Sequence, residues 1–532
     1  MASRRRPAQY QAIPEGREII MSTPPLAIRL HPDDGVVIAR ADILAGTPIP
    51  GENVAAATRI PPGHKIATRA HAAGESVRRY GQIIGIATKP IAPGEHVHSH
   101  NLGMGEHGKD YAFTREMKPT DFASPQATFQ GIVRADGRVA TRNYIGVLTT
   151  VNCSATVAQY VADAFRRNPF TSHDPLADYP YIDGVVALTH KTGCGMSDAE
   201  PLRLLRRTLA GYATHPNFAA IIVLGLGCEV NQIPGLMEQE GLDGKPRVRA
   251  MTIQATGGTP KTVAKAVEFV REALPDANAA GVRTTVPASH LCVALQCGGS
   301  DGYSGISANP SLGAASDLIV RNGGTVILSE TPETYGAEHL LTRRAVSEEV
   351  GRKLVSLMEW WEEYTRKNGG ELDDNPSPGN KAGGLTTILE KSLGAMAKAG
   401  TTNLVEVYRY AEPVTAKGFV FMDTPGYDPV SATGQVAGGA NLVCFTTGRG
   451  SVYGCKPAPS IKLSTNSPMF RRMEDDMDIN CGTVIDGDES VAECGQRIFE
   501  HILRIASGER SKSEQWGFGA EEFAPWVQGA TM

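Results

Sequence analysis

At 532 residues, with 41% hydrophobic and 20% charged side chains and a formal net charge of -5, the chain has the composition of a globular protein of about two to four domains. Its slight acidity offers no basic field to nucleic acid or an anionic membrane surface, and no apolar run reaches the ~20 residues needed to cross a bilayer. Work on a small molecule is therefore expected, with neither a nucleic-acid nor a membrane partner.

Residues 1–25 are basic but lack the apolar stretch and small-residue cleavage site of a secretory signal, so an unpacked tail on a cytoplasmic protein is expected. Nine cysteines, an odd number at wide spacing, point to reduced thiols rather than a disulfide framework.

Residues 26–102 hold short apolar runs between Gly/Pro turns. The phrase recurs as LAGTPIP, IPPGHKI and IAPGEHV, which predicts a small, tightly turned β domain. Within it, His96, His98 and His100 alternate along one strand face, an arrangement open to a metal or to a solvent-exposed edge. Residues 103–127 read as a linker.

From 128 to 284 the pattern changes to strand then helix: YIGVLTTV, GVVALTH, AAIIVLGLG and RVRAMTIQ each precede an amphipathic segment. Such alternation predicts a parallel sheet covered on both faces. Residues 285–532 repeat it with HLCVALQ, TVILSE, NLVEVYRY, GFVFMD and NLVCFTTG, together with a long helix over 343–367. NPSPGNKAGG, residues 375–384, reads as a loop without regular structure. The fold class expected is α/β: a small β domain followed by two α/β domains with largely parallel sheets.

Cys153, Cys194, Cys228 and Cys297 each stand where an apolar run stops and a turn begins, the strand ends that open onto one crevice in such folds. His190 and Cys194, four apart, suit a shared metal or a base–nucleophile pair, or else a turn cap beside a buried thiol. Glu229 adjoins Cys228 in GLGCEVNQ, whose third dinucleotide-fingerprint glycine is replaced by Val230. QCGGSDGYSG places Ser300 and Asp301 in a turn whose amides suit an anion. Arg449, in TTGRGSVYG, suits a bidentate contact with a carboxylate, and Lys381, Lys462 and Asn466 are further polar candidates.

Taken in order, PPGHKIA, RYGQIIGIA, GEHVHSHN, RADGRVATRNY, HKTGCG, GLGCE, ALQCGGSDGYSGISANP, NPSPGNKAGG and TTGRGSVYG resemble the altronate and galactarate dehydratase family. The resemblance implies an N-terminal SAF domain of the β-clip type. It also implies loss of water from a six-carbon sugar acid, D-altronate to 2-dehydro-3-deoxy-D-gluconate, with galactarate as the alternative substrate. It further implies a divalent metal, Fe2+ with Mn2+ as an alternative, while three or four thiolates by their own chemistry also suit an iron–sulfur cluster.

Carried onto this sequence, the resemblance implies His190, Glu229 and Asp301 as catalytic residues and Cys153, Cys194, Cys228 and Cys297 as the metal set. His64, Lys65, Ser300, Lys381, Arg449 and Asn466 are the substrate contacts, with the first domain closing over the crevice and the protein a homo-oligomer. Two other classes predict different behaviour. An iron- or redox-sensing binding protein would dehydrate nothing, and a Cys194–His190 hydrolase would survive chelation and die on thiol alkylation.

Overall fold

The computed structural model describes residues 25–105, 111–167, 171, 173–245 and 247–532; the expected tail, residues 1–25, lies outside them apart from Pro25. No helix among the described residues is long and apolar enough to cross a membrane.

The recurring phrase of the first domain is a recurring turn. Gly46, Gly63 and Gly94 hold φ of 81°, 81° and 84°, a left-handed conformation that glycine adopts at no steric cost. The domain holds a four-stranded antiparallel sheet, Ala27–Ile28, Val36–Ala39, Lys65–Ala67 and His96–Val97, and a three-stranded one, Ser76–Arg79, Gln82–Ala87 and Leu102–Gly103, with the Gly94 turn passing from the second to the first. Val37, Ile43, Ile49, Ile60 and Ile66 fill the space between the turns.

The middle domain carries the parallel strands β1 (Tyr144–Thr149), β2 (Gly184–Leu188), β3 (Phe218–Gly225) and β4 (Val248–Thr252), in the order β2-β1-β3-β4. Helices α1 (Ala155–Asp163) and α3 (Thr259–Ala279) cover one face, and α2 (Glu200–Thr214) covers the other.

The C-terminal domain is a seven-stranded, wholly parallel sheet. Its strands are β5 (Cys292–Cys297), β6 (Thr325–Leu328), β7 (Leu404–Tyr408), β8 (Gly418–Met422), β9 (Leu442–Thr447), β10 (Ser460–Ser464) and β11 (Ile479–Asn480), ordered β7-β8-β6-β5-β9-β10-β11. The two-residue alternation of a strand sends Val293 and Leu295 into one core and Ala294 into another. The first core continues into the β domain through Val36, Val77 and Ile84, and the second into the middle domain through Leu148, Leu205 and Tyr212. The three segments therefore share cores on both faces of the C-terminal sheet.

Two expectations change. The long helix begins at Glu348, not Arg343, because Ser347 accepts from the Val350 amide and stops it there. NPSPGNKAGG contains a helical turn, Pro378–Ala382, closed by a capping box between Ser377 and Asn380. The described part of the linker is pinned along the C-terminal domain by Tyr111 to Glu338 (2.8 Å) and Glu116 N to Arg343 O (2.8 Å).

Candidate functional site

In an open parallel sheet a ligand crevice forms at the carboxyl ends of strands where the order reverses, because neighbouring loops there part to opposite sides. In the C-terminal sheet that point is β5, flanked by β6 on one side and β9 on the other. A cavity of about 480 Å³ opens there, within the range of small-molecule sites. Its wall includes Cys297 and Gly298 at the end of β5, Glu333 after β6, Asp428, Arg449 after β9, and Asn375, Asn380 and Lys391 from the segment between.

Charge is concentrated at its floor. The Lys398 ammonium lies 2.9 Å from Cys297 Sγ and 2.9 Å from Glu330 Oε2, while Lys391 donates to Glu333 Oε1 (2.6 Å) and Asn375 Oδ1 (2.8 Å). Cys297, Glu330 and Glu333 bring their ligand atoms within 4.8 Å of one another, all buried. Glu330 Oε1 is buried without a partner, and Glu330 itself sits at φ 66°. A non-glycine residue held in that region costs about 1–3 kcal/mol, so the fold spends stability to aim this carboxylate. Gly298 is required beside it, because a Cβ there would stand 2.3 Å from Asp428 Oδ2.

Burial sets the protonation of these groups. It pushes the Cys297 thiol well above its ordinary value, with Glu330 adding to the rise. Burial also raises Glu330, against the pull of Lys398. Burial of Glu333 is outweighed by Lys391 and Lys398, which hold it low. Asp428 is pushed up to about 6, first by burial and then by Glu333. The cleft wall thus presents an ionised Glu333, the Lys391 ammonium and, in Asp428, a carboxylate raised to about 6, with the Lys398–Glu330 pair packed behind Cys297.

The remaining expected residues have other surroundings. The four-thiol set divides: Cys297 is buried at the switch of the seven-stranded sheet, whereas Cys153, Cys194 and Cys228 are exposed on loops after β1, β2 and β3. Those loops are laced together by Asn152 N to Thr192 O (3.0 Å), Asn231 N to Gly193 O (3.1 Å) and Asn231 Nδ2 to Thr150 O (3.1 Å).

His190 belongs to the same lacing. Its Nε2 donates to Thr149 O (2.9 Å), its Nδ1 accepts from Thr192 N (3.3 Å), and burial lowers it to about 4, so both ring nitrogens are committed to backbone. Glu229 accepts from Thr150 Oγ1 (2.7 Å) and Gly227 N (2.6 Å) in the same way.

Asp301 is turned inward. It accepts from Tyr303 N (3.0 Å), Ser304 Oγ (3.1 Å), Thr465 Oγ1 (2.9 Å) and Asn466 Nδ2 (3.2 Å), and its pKa is raised by burial despite them. Asn466 also caps the helix Ser467–Arg472. The Ser300 carbonyl accepts from Asn380 Nδ2 (2.9 Å), which ties the QCGGSDG turn to the cleft wall. Lys462 is buried against Ser513 Oγ (2.8 Å), Lys381 is half-buried on the capped turn, and Arg449 is exposed in the cleft wall.

Lys65 is not placed to reach a substrate. It is fully buried between Gly384 O (2.6 Å) and Glu390 (2.8 and 2.9 Å), and Arg79 adds a second contact to Glu390 at 2.5 Å. Between those two cations Glu390 is held at about 2 although burial opposes it. His64 sits beside this clamp, against Ala382 O (3.3 Å) and His96 (3.0 Å).

Family models match all three segments. The altronate/galactarate dehydratase SAF domain matches residues 25–105, the second domain of D-galactarate dehydratase/altronate hydrolase residues 131–278, and the D-galactarate/altronate dehydratase C-terminal domain residues 288–531. The chain belongs to the altronate/galactarate dehydratase family. Galactarate dehydratase (L-threo-forming) of Escherichia coli K12 is 38% identical over 94% of this chain and 97% of its own length. Altronate dehydratases of Bacillus subtilis 168 and E. coli K12 are 32% and 33% identical over 95% of this chain and 99% of theirs. The dehydratase family is one of hydro-lyases, so the chain is a carbon–oxygen lyase acting on a sugar acid.

The residues that sequence reasoning passed over are Glu330, Glu333, Lys391, Lys398 and Asp428. A signal was present: ETPE follows a buried strand, and Lys391 and Lys398 are charges seven apart in a segment otherwise apolar or small, spacing that returns to one helix face.

Proposed function

We propose that the chain dehydrates a six-carbon sugar acid, with the aldarate galactarate the favoured substrate and the aldonate altronate the second. The cleft at the β5 switch point carries this reading, because it gathers a carboxylate with a pKa raised to about 6, the Lys391 ammonium and an exposed guanidinium around one small-molecule volume. The substrate preference moves from altronate to galactarate on the 38% identity to the galactarate enzyme against 32–33% to the altronate enzymes.

Loss of water across C2–C3 needs a proton taken from a carbon beside a carboxylate and a hydroxyl released from the next. Arg449 clamps the substrate carboxylate with a two-pronged contact. Asp428, poised near the working pH, takes the C2 proton. Lys391 faces the negative charge that then gathers on the carboxylate, with Lys398 adding its charge from behind Cys297, in a buried site where such attraction is strong. The C3 hydroxyl departs as water, taking the proton that Asp428 accepted, and the enol becomes the 2-keto acid.

Cys297, Glu330 and Glu333 suit a divalent first-row metal such as Fe2+: they offer one soft and two hard donors, and Glu330 Oε1 is buried without another partner. When bound, that ion supplies Lewis-acid stabilisation of the enediolate. A second reading places an iron–sulfur cluster on Cys153, Cys194 and Cys228, favoured by their exposure on three adjoining loops.

The test is a panel of aldarates and aldonates assayed anaerobically with Fe2+ for 2-keto-3-deoxy acid. Galactarate should give the highest kcat/KM. Turnover of altronate alone would reverse the preference, and a panel without turnover would remove the reading. Brown protein whose colour is lost on substituting Cys153 would favour the cluster.

A further inference from the structure

Outside the cleft, the described residues hold one other group of metal-capable side chains within 4.8 Å of one another: His64, His96 and His98. We propose that these three imidazoles form a second metal site, for a divalent first-row transition ion such as Zn2+, Co2+ or Fe2+, where the β domain meets the C-terminal domain.

Two features of the sequence assemble the trio. The GHK turn carries His64 on one side of the antiparallel sheet. The strand His96–Val97 pairs with Lys65–Ala67, and the two-residue period brings His98 to the same face as His96. Ring centroids are 4.9 Å apart for His64 and His98, 5.1 Å for His64 and His96, and 5.3 Å for His96 and His98. Three nitrogens at ~2.0–2.1 Å from one tetrahedral ion lie about 3.3–3.4 Å from each other, so small ring rotations convert this cluster into a ligand set.

The hydrogen bonding already assigns the nitrogens. His64 Nε2 stands 3.3 Å from the carbonyl of Ala382, which can only accept, so Nε2 carries the proton and Nδ1 presents its lone pair. That Nδ1 lies 3.0 Å from His96 Nε2. His98 Nδ1 is buried without a partner. A backbone carbonyl holding the tautomer of a histidine whose other nitrogen faces two further imidazoles is the outer shell that metal-bound histidines have.

Charge nearby selects the ion. Lys65 and Arg79 close on Glu390 beside the trio and leave one net positive charge. That repels any cation, so an oxygen-seeking ion such as Mg2+ or Ca2+ gains nothing here, whereas imidazole-seeking ions bind through strong nitrogen ligation. His100 is exposed, with its ring 5.5 Å from that of His96.

The site does not depend on which sugar acid is turned over. The test is Co2+ titration of metal-stripped full-length protein in a Glu333→Gln background, which disables the cleft set, followed by absorption and by metal analysis. The parent should take up cobalt with the intense visible bands of a four-coordinate N-ligated ion. His96→Gln/His98→Gln should retain about one equivalent less and lose those bands. His98→Gln alone should weaken binding at least tenfold, and excess Mg2+ should not compete. Equal cobalt uptake and equal spectra with and without the histidines would overturn the proposal, as would displacement by Mg2+. Circular dichroism matching the parent's shows that loss of cobalt is not loss of fold.

Discussion

Two parallel sheets in this molecule reverse their strand order, and both place cysteine at the reversal, yet the two places differ in kind. At β1 the loops spend their polar groups on one another: His190 on Thr149 and Thr192, Glu229 on Thr150 and Gly227, leaving three thiols facing solvent. At β5 the single thiol is buried among two carboxylates and two ammonium groups, with a carboxylate oxygen left over. Topology supplies a crevice in each case; what each can do is decided by whether its charged groups are consumed by the backbone or kept for a ligand.

The largest expected effect separates the two directly. Glu333→Gln removes a cleft carboxylate and should lower kcat by at least ~10²-fold. Glu229→Gln should instead cost about 1–3 kcal/mol of stability through a weakened buried hydrogen bond, with a much smaller loss of kcat. Denaturant unfolding and steady-state kinetics on both variants check this, and a larger kcat loss in Glu229→Gln would reverse the assignment.

A middle-sized effect lies in the pH profile. Asp428 must be ionised to accept a proton and its pKa is raised to about 6, so kcat/KM should fall as pH drops through that value. Because Glu333 adds to the rise, the residual activity of Glu333→Gln should show this limb at lower pH. A limb that stays in place would assign it to another group. The same raised pKa favours the folded state below the unfolded value of ~3.9, and that contribution is lost as pH climbs through about 6.

The smallest effect is chemical. In metal-stripped native protein, iodoacetamide should label Cys153, Cys194 and Cys228 and spare Cys297, which is buried with its thiol pKa well above the ordinary value. Peptide mass mapping reads it out. Labelling of Cys297 at the same rate would show the cleft floor to be open.

Much of the fold was legible because strand and helix periods differ. HLCVALQ, TVILSE, NLVEVYRY, GFVFMD and NLVCFTTG all became strands of one sheet, and the Gly turns of the first domain recur with nearly one φ. Cys297 and Arg449 were legible as strand-end residues.

The charged groups at the β5 switch point were not, because Glu330, Lys391 and Asp428 come from separate segments and meet only through the order of the strands. His190 shows the opposite failure. A histidine four residues before a cysteine looks the same in sequence whether it serves chemistry or clips a loop, and the backbone carbonyl of Thr149, which decides the matter, has no letter of its own.

The Lys65–Glu390–Arg79 contact bears on how a substrate enters. Swinging the first domain away would separate Lys65 and Arg79 from the carboxylate of Glu390 that holds them both. The contact favours a keystone over a door: Lys65 also donates to Gly384 O, which ties the first domain to residues 375–384 beside the cleft.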